Sequence, residues 1–540
     1  MRKAHREKVK SEVTGRIIDR HTKRAASGGR PIEETVNESL YHERERLKTS
    51  HTDRDVADRQ FYASIRRTLP HASPSQCKQL FASIVQRYTD QVTGRFNPTV
   101  YKLATSVLPF GLSALLNSLS PKRLLSRLQD VPTLDDHVNV QGEVDTLRRL
   151  QKQGTVIVAP THSSNLDSVL MGYTIYRMGL PPVTYGAGLN LFSNKIIGFF
   201  MHNLGAYTVD RMKSDPLYRE VLKEYATVTM EYGQDQLFFP GGTRSRSGAV
   251  EAKLKRGLLG TSIGAYRNNL INRRPNPRIF VFPVTISYPL VLEGATLIDD
   301  YLQRAGRSRY IIVDDEFSRL ERWIEFMRGL FSLDLQISIT VGKPLDPFGN
   351  DVGEDGESLD PRGRPIDPSR YLLIDGEYAE DDARDHEYTS ALSSRLVDAY
   401  HRDNVALAEH VLAFAFFETL RRESQERDIY RLLRSLDSET SLALPRVAEE
   451  IERLLGELST MERRGQIRVS SMVSRGDVDE IIHQGLLSFA TYHTRPVIER
   501  RGVRLHVGDA NLILFYRNRL DGYRLLDAPN VVSNEWRPAV

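Results

Sequence analysis

His162 and Asp167, in Thr161-His162-Ser163-Ser164-Asn165-Leu166-Asp167, are the residues of this chain best suited to chemistry. An imidazole held by a carboxylate can take a proton from an alcohol near neutral pH. The pair follows the apolar run Val156-Ile157-Val158-Ala159-Pro160, which has the composition of a buried strand. Five residues of regular helix advance about 500° and leave two side chains about 140° apart, so they cannot meet on one helix face. Pairing therefore requires His162 in a strand-to-helix turn and Asp167 in the first helical turn. Ser163, Ser164 and Asn165 are suitable capping residues for that turn, and an Asp in the first turn suits the helix dipole. The chain holds 14 histidines, so a capping or surface His beside an incidental Asp is the simpler alternative for so short a motif.

Three further stretches carry polar or structural signals. The first is Phe238-Phe239-Pro240-Gly241-Gly242-Thr243-Arg244-Ser245-Arg246-Ser247-Gly248. Gly241 and Gly242 let the backbone turn tightly and approach a ligand. Thr243 and Ser245 offer donors, and Arg244 and Arg246 can each grip a phosphate through two parallel hydrogen bonds. Lys253, Lys255 and Arg256 follow; taken alone, the segment is equally a flexible basic surface loop. The second, Leu204-Gly205-Ala206-Tyr207-Thr208-Val209-Asp210-Arg211, is a strand ending in a charged pair, which in isolation is a surface salt-bridge site. The third, Val281-Phe282-Pro283-Val284-Thr285-Ile286-Ser287-Tyr288, is a buried core strand.

The elements around these motifs change in texture along the chain. Residues 1–60 are rich in charge and poor in large apolar groups, which predicts a mobile segment or solvated helix. Residues 61–139 have helix-like apolar spacing. From 140 to 345, β-branched runs alternate with helical stretches, which argues for an α/β domain. Its expected strands are 155–159, 183–186, 206–209, 236–239, 279–287, 310–313 and 335–341. One expected helix starts at Ser214-Asp215-Pro216, a good cap followed by Pro in the first turn. Residues 346–387 predict an acidic loop or linker, with thirteen Asp/Glu against four Arg over 351–387. Residues 388–540 predict a mainly helical C-terminal region.

Composition bounds the function. A chain of 540 residues, 40% hydrophobic and 27% charged, is an ordinary globular composition. A net charge of +4 gives no global signal for a polyanionic partner, and no aromatic-interleaved basic module points to nucleic acid. The single cysteine, Cys77, cannot form an intramolecular disulfide, and no Cys/His cluster predicts a metal site. The charged start, Met1-Arg2-Lys3-Ala4-His5-Arg6, is not expected to be a signal peptide, and a reducing cytoplasmic setting fits. No apolar run approaches the roughly 18–20 residues needed to span a bilayer.

Taken together and in order, the four blocks resemble the glycerol-phosphate acyltransferase superfamily. Its H-x-x-x-x-D block is matched by His162 and Asp167. Its second block ends in an Arg, matched by Arg211. Its third, commonly E-G-(T/G)-R-S continuing R-(S/T)-G, is matched from Gly242 through Gly248. Its fourth, a P-V-x-x-x-Y-like strand, is matched by Pro283, Val284 and Tyr288. The resemblance covers about 140–300, and the stretch Gly188-Leu189-Asn190-Leu191 with Gly198 is similar to the family's connection between the first two blocks. The length, the helical C-terminal region and Leu514-Phe515-Tyr516-Arg517-Asn518 more weakly resemble the larger glycerol-3-phosphate or dihydroxyacetone-phosphate enzymes. Two departures stand out. The family's acidic residue in the third block falls at Gly241, and Asp210-Arg211 is closer to the lysophosphatidate acyltransferase form of the second block.

The resemblance implies a mixed acyltransferase-type sheet flanked by helices, with His162 as base and Asp167 orienting it. It implies Arg211, Arg244 and Arg246 as phosphate ligands, with Gly241, Gly242, Thr243, Ser245 and Pro283 positioning substrate. The implied reaction moves a fatty acyl group from acyl-CoA or acyl carrier protein to a glycerol-phosphate hydroxyl, with no metal or other cofactor. The rival readings are a lysophosphatidate acyltransferase and an inactive lipid-binding scaffold. Peripheral attachment to the cytoplasmic membrane face is expected through the apolar and basic stretch 107–128, aided by the stripe Leu320, Trp323, Ile324, Met327 and Phe331 and by the basic residues 1–30, ten Lys/Arg against three Asp/Glu.

Overall fold

The computed structural model describes residues 3–49, 53–105, 137–188, 198–199, 203–304, 335–426, 428–528 and 531. The proposed membrane stretch 107–128, the stripe 320–331, the expected strand 310–313 and most of the 188–191 connection lie outside the described residues.

A seven-stranded sheet in the order β1-β7-β6-β2-β5-β3-β4 forms the centre of the molecule. Its strands are β1 (Val138–Gly142), β2 (Thr155–Pro160), β3 (Thr184–Gly188), β4 (Ala206–Val209), β5 (Gln236–Leu237), β6 (Ile279–Ser287) and β7 (Ile337–Val341). β6, β2, β5, β3 and β4 run parallel to their neighbours, whereas β7 pairs antiparallel with β6 and parallel with β1. The expected mixed α/β sheet is therefore present. β1 was not expected. Its polar Asn139 and Gln141 suit an edge strand with a single partner, and they hide the β-branched signal of Val138 and Val140.

β2 and β6 are buried along their whole length, as strands covered on both faces must be. Alternate residues serve two cores. Val156, Val158, Phe280 and Phe282 pack with Leu170 and Met171 and with the apolar run Val411 to Phe417. Ile157, Ala159 and Val281 pack on the opposite face with Leu259, Ile263, Leu396 and Tyr400.

Of the two states expected for the charged N-terminal segment, helix is the one that forms, with one face packed inward. Residues 1–60 form α1 (Lys3–Ala26), α2 (Ile32–Thr49) and most of α3 (Asp53–Thr68), followed by α4 (Pro74–Val92). Val9, Val13 and Ile17 recur at four-residue spacing and are fully buried against Phe81 and Tyr88 of α4. Some of the charges that suggested solvation face inward to partners. Arg46 pairs with Glu43, Asp55 and Asp58, all four of them buried.

In the chain after β1 come α5 (Val144–Leu150), α6 (Asp167–Arg177), α7 (Pro216–Glu231), α8 (Thr261–Ile271) and α9 (Gly294–Arg304). α7 starts where the sequence placed it, with Asp215 accepting the Leu217 N–H at 2.9 Å and Pro216 as first residue. Arg16 of α1 reaches Glu224 and Glu231 of α7 at 3.2 and 2.6 Å, tying the N-terminal helices to the sheet layer. The acidic stretch 346–387 holds short two-residue strand pairings.

The C-terminal region contains α10 (Asp382–Arg402), α11 (Ala408–Ser424), α12 (Leu444–Arg463), α13 (Val478–Thr491) and α14 (Ala510–Arg517), with a small sheet of 441–443, 498–501 and 504–507. α11 is apolar on nearly every side and buried from Ala408 to Leu420, the pattern of a helix at the centre of a layer. Its Glu418 is held by Arg517 of α14 at 2.7 Å, both 1% exposed. Among the described residues no helix is long and apolar enough to cross a membrane.

Candidate active site

The site lies at the C-terminal end of β2. His162 occupies the turn after the strand and Asp167 is the first residue of α6. His162 Nδ1 donates to Asp167 Oδ2 at 2.8 Å. The same oxygen accepts the backbone N–H groups of Ser163 and Ser164 at 2.7 and 2.9 Å. Asp167 Oδ1 accepts the Tyr288 hydroxyl at 2.6 Å, at the end of β6. The carboxylate is fully buried and receives four donors, so it is held in place to orient the imidazole. Phe239 stacks on the His162 ring, 4.3 Å between centroids. With Nδ1 committed to Asp167, Nε2 is the nitrogen left for a substrate, and 12% of the side chain stays exposed.

Burial lowers the His162 pKa below its ordinary value of 6.5; the bond to Asp167 opposes this, and the Arg244 and Arg211 charges add to it. The imidazole is therefore neutral at pH 7, the state a general base requires.

The loop after β5 is sewn to the His162 turn. Ser245 N–H donates to the His162 carbonyl at 2.7 Å, and the Ser245 hydroxyl donates to the Ala249 carbonyl at 2.7 Å. Gly242 and Gly248 have φ of +73° and +83°, a region costly for other residues. At Gly248 any side chain would also collide with the Phe515 carbonyl of α14. Thr243 is partly exposed.

Arg244, Arg246 and Arg211 converge, but in different circumstances. Arg244 donates to Glu293 at 3.2 Å, and Glu293 also accepts from the Ser164 hydroxyl and the Asn165 N–H, at 2.8 and 2.9 Å. Fully buried Glu293 thus links the arginine loop to the His162 turn. Arg246 pairs with Asp300 of α9 at 2.5 Å. Arg211 is exposed at the end of β4. Partial burial lowers its pKa first, and repulsion from Arg244 and Arg246 lowers it further. Lys255 is depressed in the same way, by burial and then by Arg211 and Arg246. Arg211, Arg244, Arg246 and Lys255 thus lie near enough to repel one another, with Arg244 and Arg246 already paired to carboxylates.

The Arg211 loop is braced from the N-terminal helices. Lys213 bonds Glu43 of α2 at 2.6 Å, and the Tyr88 hydroxyl of α4 donates to Asp215 at 2.6 Å. Pro283 is not gathered into the cluster. It lies inside β6 in register with Ala159, and its carbonyl accepts the Gly342 N–H at 2.8 Å.

Glu293, the Tyr288–Asp167 bond and Arg519 escaped the sequence reading. Arg519 is buried behind the site and donates to the Ile286 carbonyl and to Asn404, both at 2.6 Å. A small cavity beside it is lined by Ser163, Ser245, Tyr288, Phe515, Tyr516 and Arg519. The C-terminal region therefore supplies part of the wall of a site whose motifs lie more than 200 residues earlier, as the Asn518-to-Ser247 bond, spanning 271 residues, illustrates. Glu293 is a lone carboxylate after the apolar run Leu290-Val291-Leu292, and Arg519 follows directly on the Leu514–Asn518 stretch, but no local spacing ties either to His162. Among the described residues no group of three His, Cys, Asp or Glu is arranged to hold a metal ion.

Residues 140–287 match the acyltransferase family model. Among curated proteins, the chain is 31% identical over 208 residues to a glycerol-3-phosphate acyltransferase of Ectopseudomonas mendocina (strain ymp), covering 38% of this chain and 23% of that protein. It is 32% identical over 216 residues to the protein of the same name from Pseudomonas syringae pv. syringae (strain B728a), covering 39% and 23%. A third, from Xanthomonas axonopodis pv. citri (strain 306), is 30% identical over 162 residues, covering 30% and 18%. The chain thus spans about a quarter or less of the length of the curated relatives it matches.

Proposed function

We propose that this acyltransferase domain moves a fatty acyl group from a thioester to a hydroxyl of glycerol 3-phosphate. The observation that carries the reading is the buried Asp167–His162 pair beside a cluster of four cations. One group can take a proton from an alcohol, and the other can hold a phosphate on the same small molecule. His162 Nε2 removes the acceptor hydroxyl proton as that oxygen attacks the thioester carbonyl carbon. The tetrahedral intermediate collapses, the C–S bond breaks, and the departing sulfur takes the proton from the imidazolium. The products are an ester and a free thiol. Asp167 stabilises the imidazolium between the two transfers, and no acyl-enzyme, metal or other cofactor enters the scheme.

Acyl-CoA and acyl carrier protein are both donors of the required chemistry. Among acceptors, lysophosphatidate is the second choice, favoured by the Asp210-Arg211 form of the second block. The proposed setting is the cytoplasmic membrane face, where the acyl product partitions.

The test is thiol release from a long-chain acyl-CoA and an acyl carrier protein thioester, with glycerol 3-phosphate and lysophosphatidate offered separately. His162-dependent turnover with glycerol 3-phosphate supports the reading. Turnover with lysophosphatidate alone moves it to the second acceptor, and lipid binding without turnover by either leaves the scaffold.

Arg211 provides a sharper check on the acceptor end. Arg244 and Arg246 are held by Glu293 and Asp300, whereas Arg211 is exposed and faces like charge. Arg211→Ala is expected to raise the acceptor KM about 10- to 100-fold, the worth of one charge-assisted hydrogen bond, and to leave the thioester KM in place. Equal rises in both constants would assign Arg211 to the donor or to the fold.

The pH profile follows from the lowered His162 pKa. A base must be deprotonated, so kcat/KM rises with pH through the His162 pKa and levels off above it. Because burial lowers that pKa, the rising limb is expected below 6.5. A midpoint above 7 in wild type would remove His162 as the titrating base.

A further inference from the structure

Gly241 raises a question that its backbone leaves open. Its φ is not in the left-handed region, so the chain there would accept any residue. What excludes a side chain is Glu251. A Cβ on residue 241 would collide with Glu251 Oε1 and lie 2.8 Å from its Cδ and 3.5 Å from its Cγ, these three being its nearest neighbours. Glu251 Oε1 accepts the backbone N–H of His162 at 3.0 Å. Glu251 Oε2 is buried and has no hydrogen-bond partner among the described residues.

We propose that Glu251 is a positioning residue of the acyltransferase site, folding back over Gly241 to hold the His162 turn, and that residue 241 is glycine because Glu251 fills the volume a side chain there would need. The proposal rests on the acyl-transfer reading above and adds a residue to it. In the resembling family an acidic residue stands at the position of Gly241; here a carboxyl from later in the chain fills the space beside that backbone.

The chemistry of the position agrees. Burial raises the Glu251 pKa to about 8, the Asp167 charge adds to this, and the His162 N–H and Arg519 oppose it. The carboxyl is therefore mostly protonated at neutral pH and puts little repulsion on Asp167. A neutral acid can keep Oε1 as an acceptor for the His162 N–H while its proton sits on Oε2. Holding a buried oxygen without a partner costs stability.

The test is a four-way cycle of wild type, Glu251→Ala, Gly241→Glu and Gly241→Glu/Glu251→Ala, with Glu251→Gln as the conservative control. Steady-state thiol release and urea unfolding are measured on each. Glu251→Ala is expected to lower kcat about 10- to 100-fold through misplacement of His162, with the KM for acceptor and donor little changed. Glu251→Gln keeps an acceptor for the His162 N–H and loses less. Gly241→Glu alone loses both activity and stability, because two carboxyl groups compete for one volume. The double variant recovers kcat above either single variant.

Wild-type kcat in Glu251→Ala, or a double variant no better than the poorer single, would overturn the proposal. Unfolding free energies that add across the cycle would also overturn it, because residues sharing one volume must couple. If wild type releases no thiol, the functional reading fails on its own, and the unfolding cycle still decides whether 241 and 251 share that volume.

Discussion

His162→Ala is expected to lower kcat by about 10²- to 10⁴-fold, the usual contribution of a positioned general base. The expectation is specific because the rest of the site does not depend on the imidazole. Asp167 keeps three of its four donors, the Tyr288 hydroxyl and the Ser163 and Ser164 N–H groups. The His162 backbone keeps its bonds to Glu251 and Ser245. Folding and acceptor KM are therefore expected to survive, and the loss should appear in kcat. Single-turnover thiol release, with circular dichroism on the same samples, makes the measurement. A folded His162→Ala enzyme with undiminished kcat would end the general-base assignment.

Asp167→Ala is expected to have the largest effect on stability, about 3–5 kcal/mol. Its carboxylate is the shared acceptor for Tyr288, two backbone N–H groups and His162, all converging at one buried point. Removing it strands donors that water cannot reach, and each stranded group costs about 1–3 kcal/mol. Such a loss is a large share of the roughly 5–15 kcal/mol that holds a typical domain folded. Asp167→Asn separates the two roles. Its amide oxygen, placed where Oδ2 stands, can still serve the backbone donors and Nδ1, so most stability is retained, while the negative charge that stabilises the imidazolium is lost and activity falls. Urea midpoints for the two variants, read beside kcat, test this. An Asp167→Ala protein as stable as wild type would mean that the network is not cooperative.

Both expectations depend on a geometry that was partly legible in the sequence. Pairing residues five apart demanded a turn at His162 and a helix beginning near Asp167, and the structure places them there. The apolar runs at β2 and β6 announced strands buried on both faces because little that is polar interrupts them, Thr285 alone inside β6. The cap at Asp215 marked the start of α7 because capping is a local interaction. The burial of one face of the charged N-terminal helices was not legible, for the complementary reason. Composition records how many charges a segment holds and not whether each finds a partner, and Arg16 and Arg46 find theirs among buried carboxylates.

The local chemistry is written along the chain: which residues can exchange a proton, which can grip an anion, and where strand must give way to helix. These follow from side-chain type, short spacing and hydrophobic period, all of which act within a few residues. Tertiary structure alone decided which of those groups stand free and which are held. It set Glu293 between Arg244 and the His162 turn, laid Glu251 over Gly241, and brought Phe515, Tyr516 and Arg519 to the wall of the site. Such contacts join residues tens to hundreds of positions apart. They exist only because burying the two faces of the sheet forces distant segments together, and no periodicity along the chain encodes that meeting.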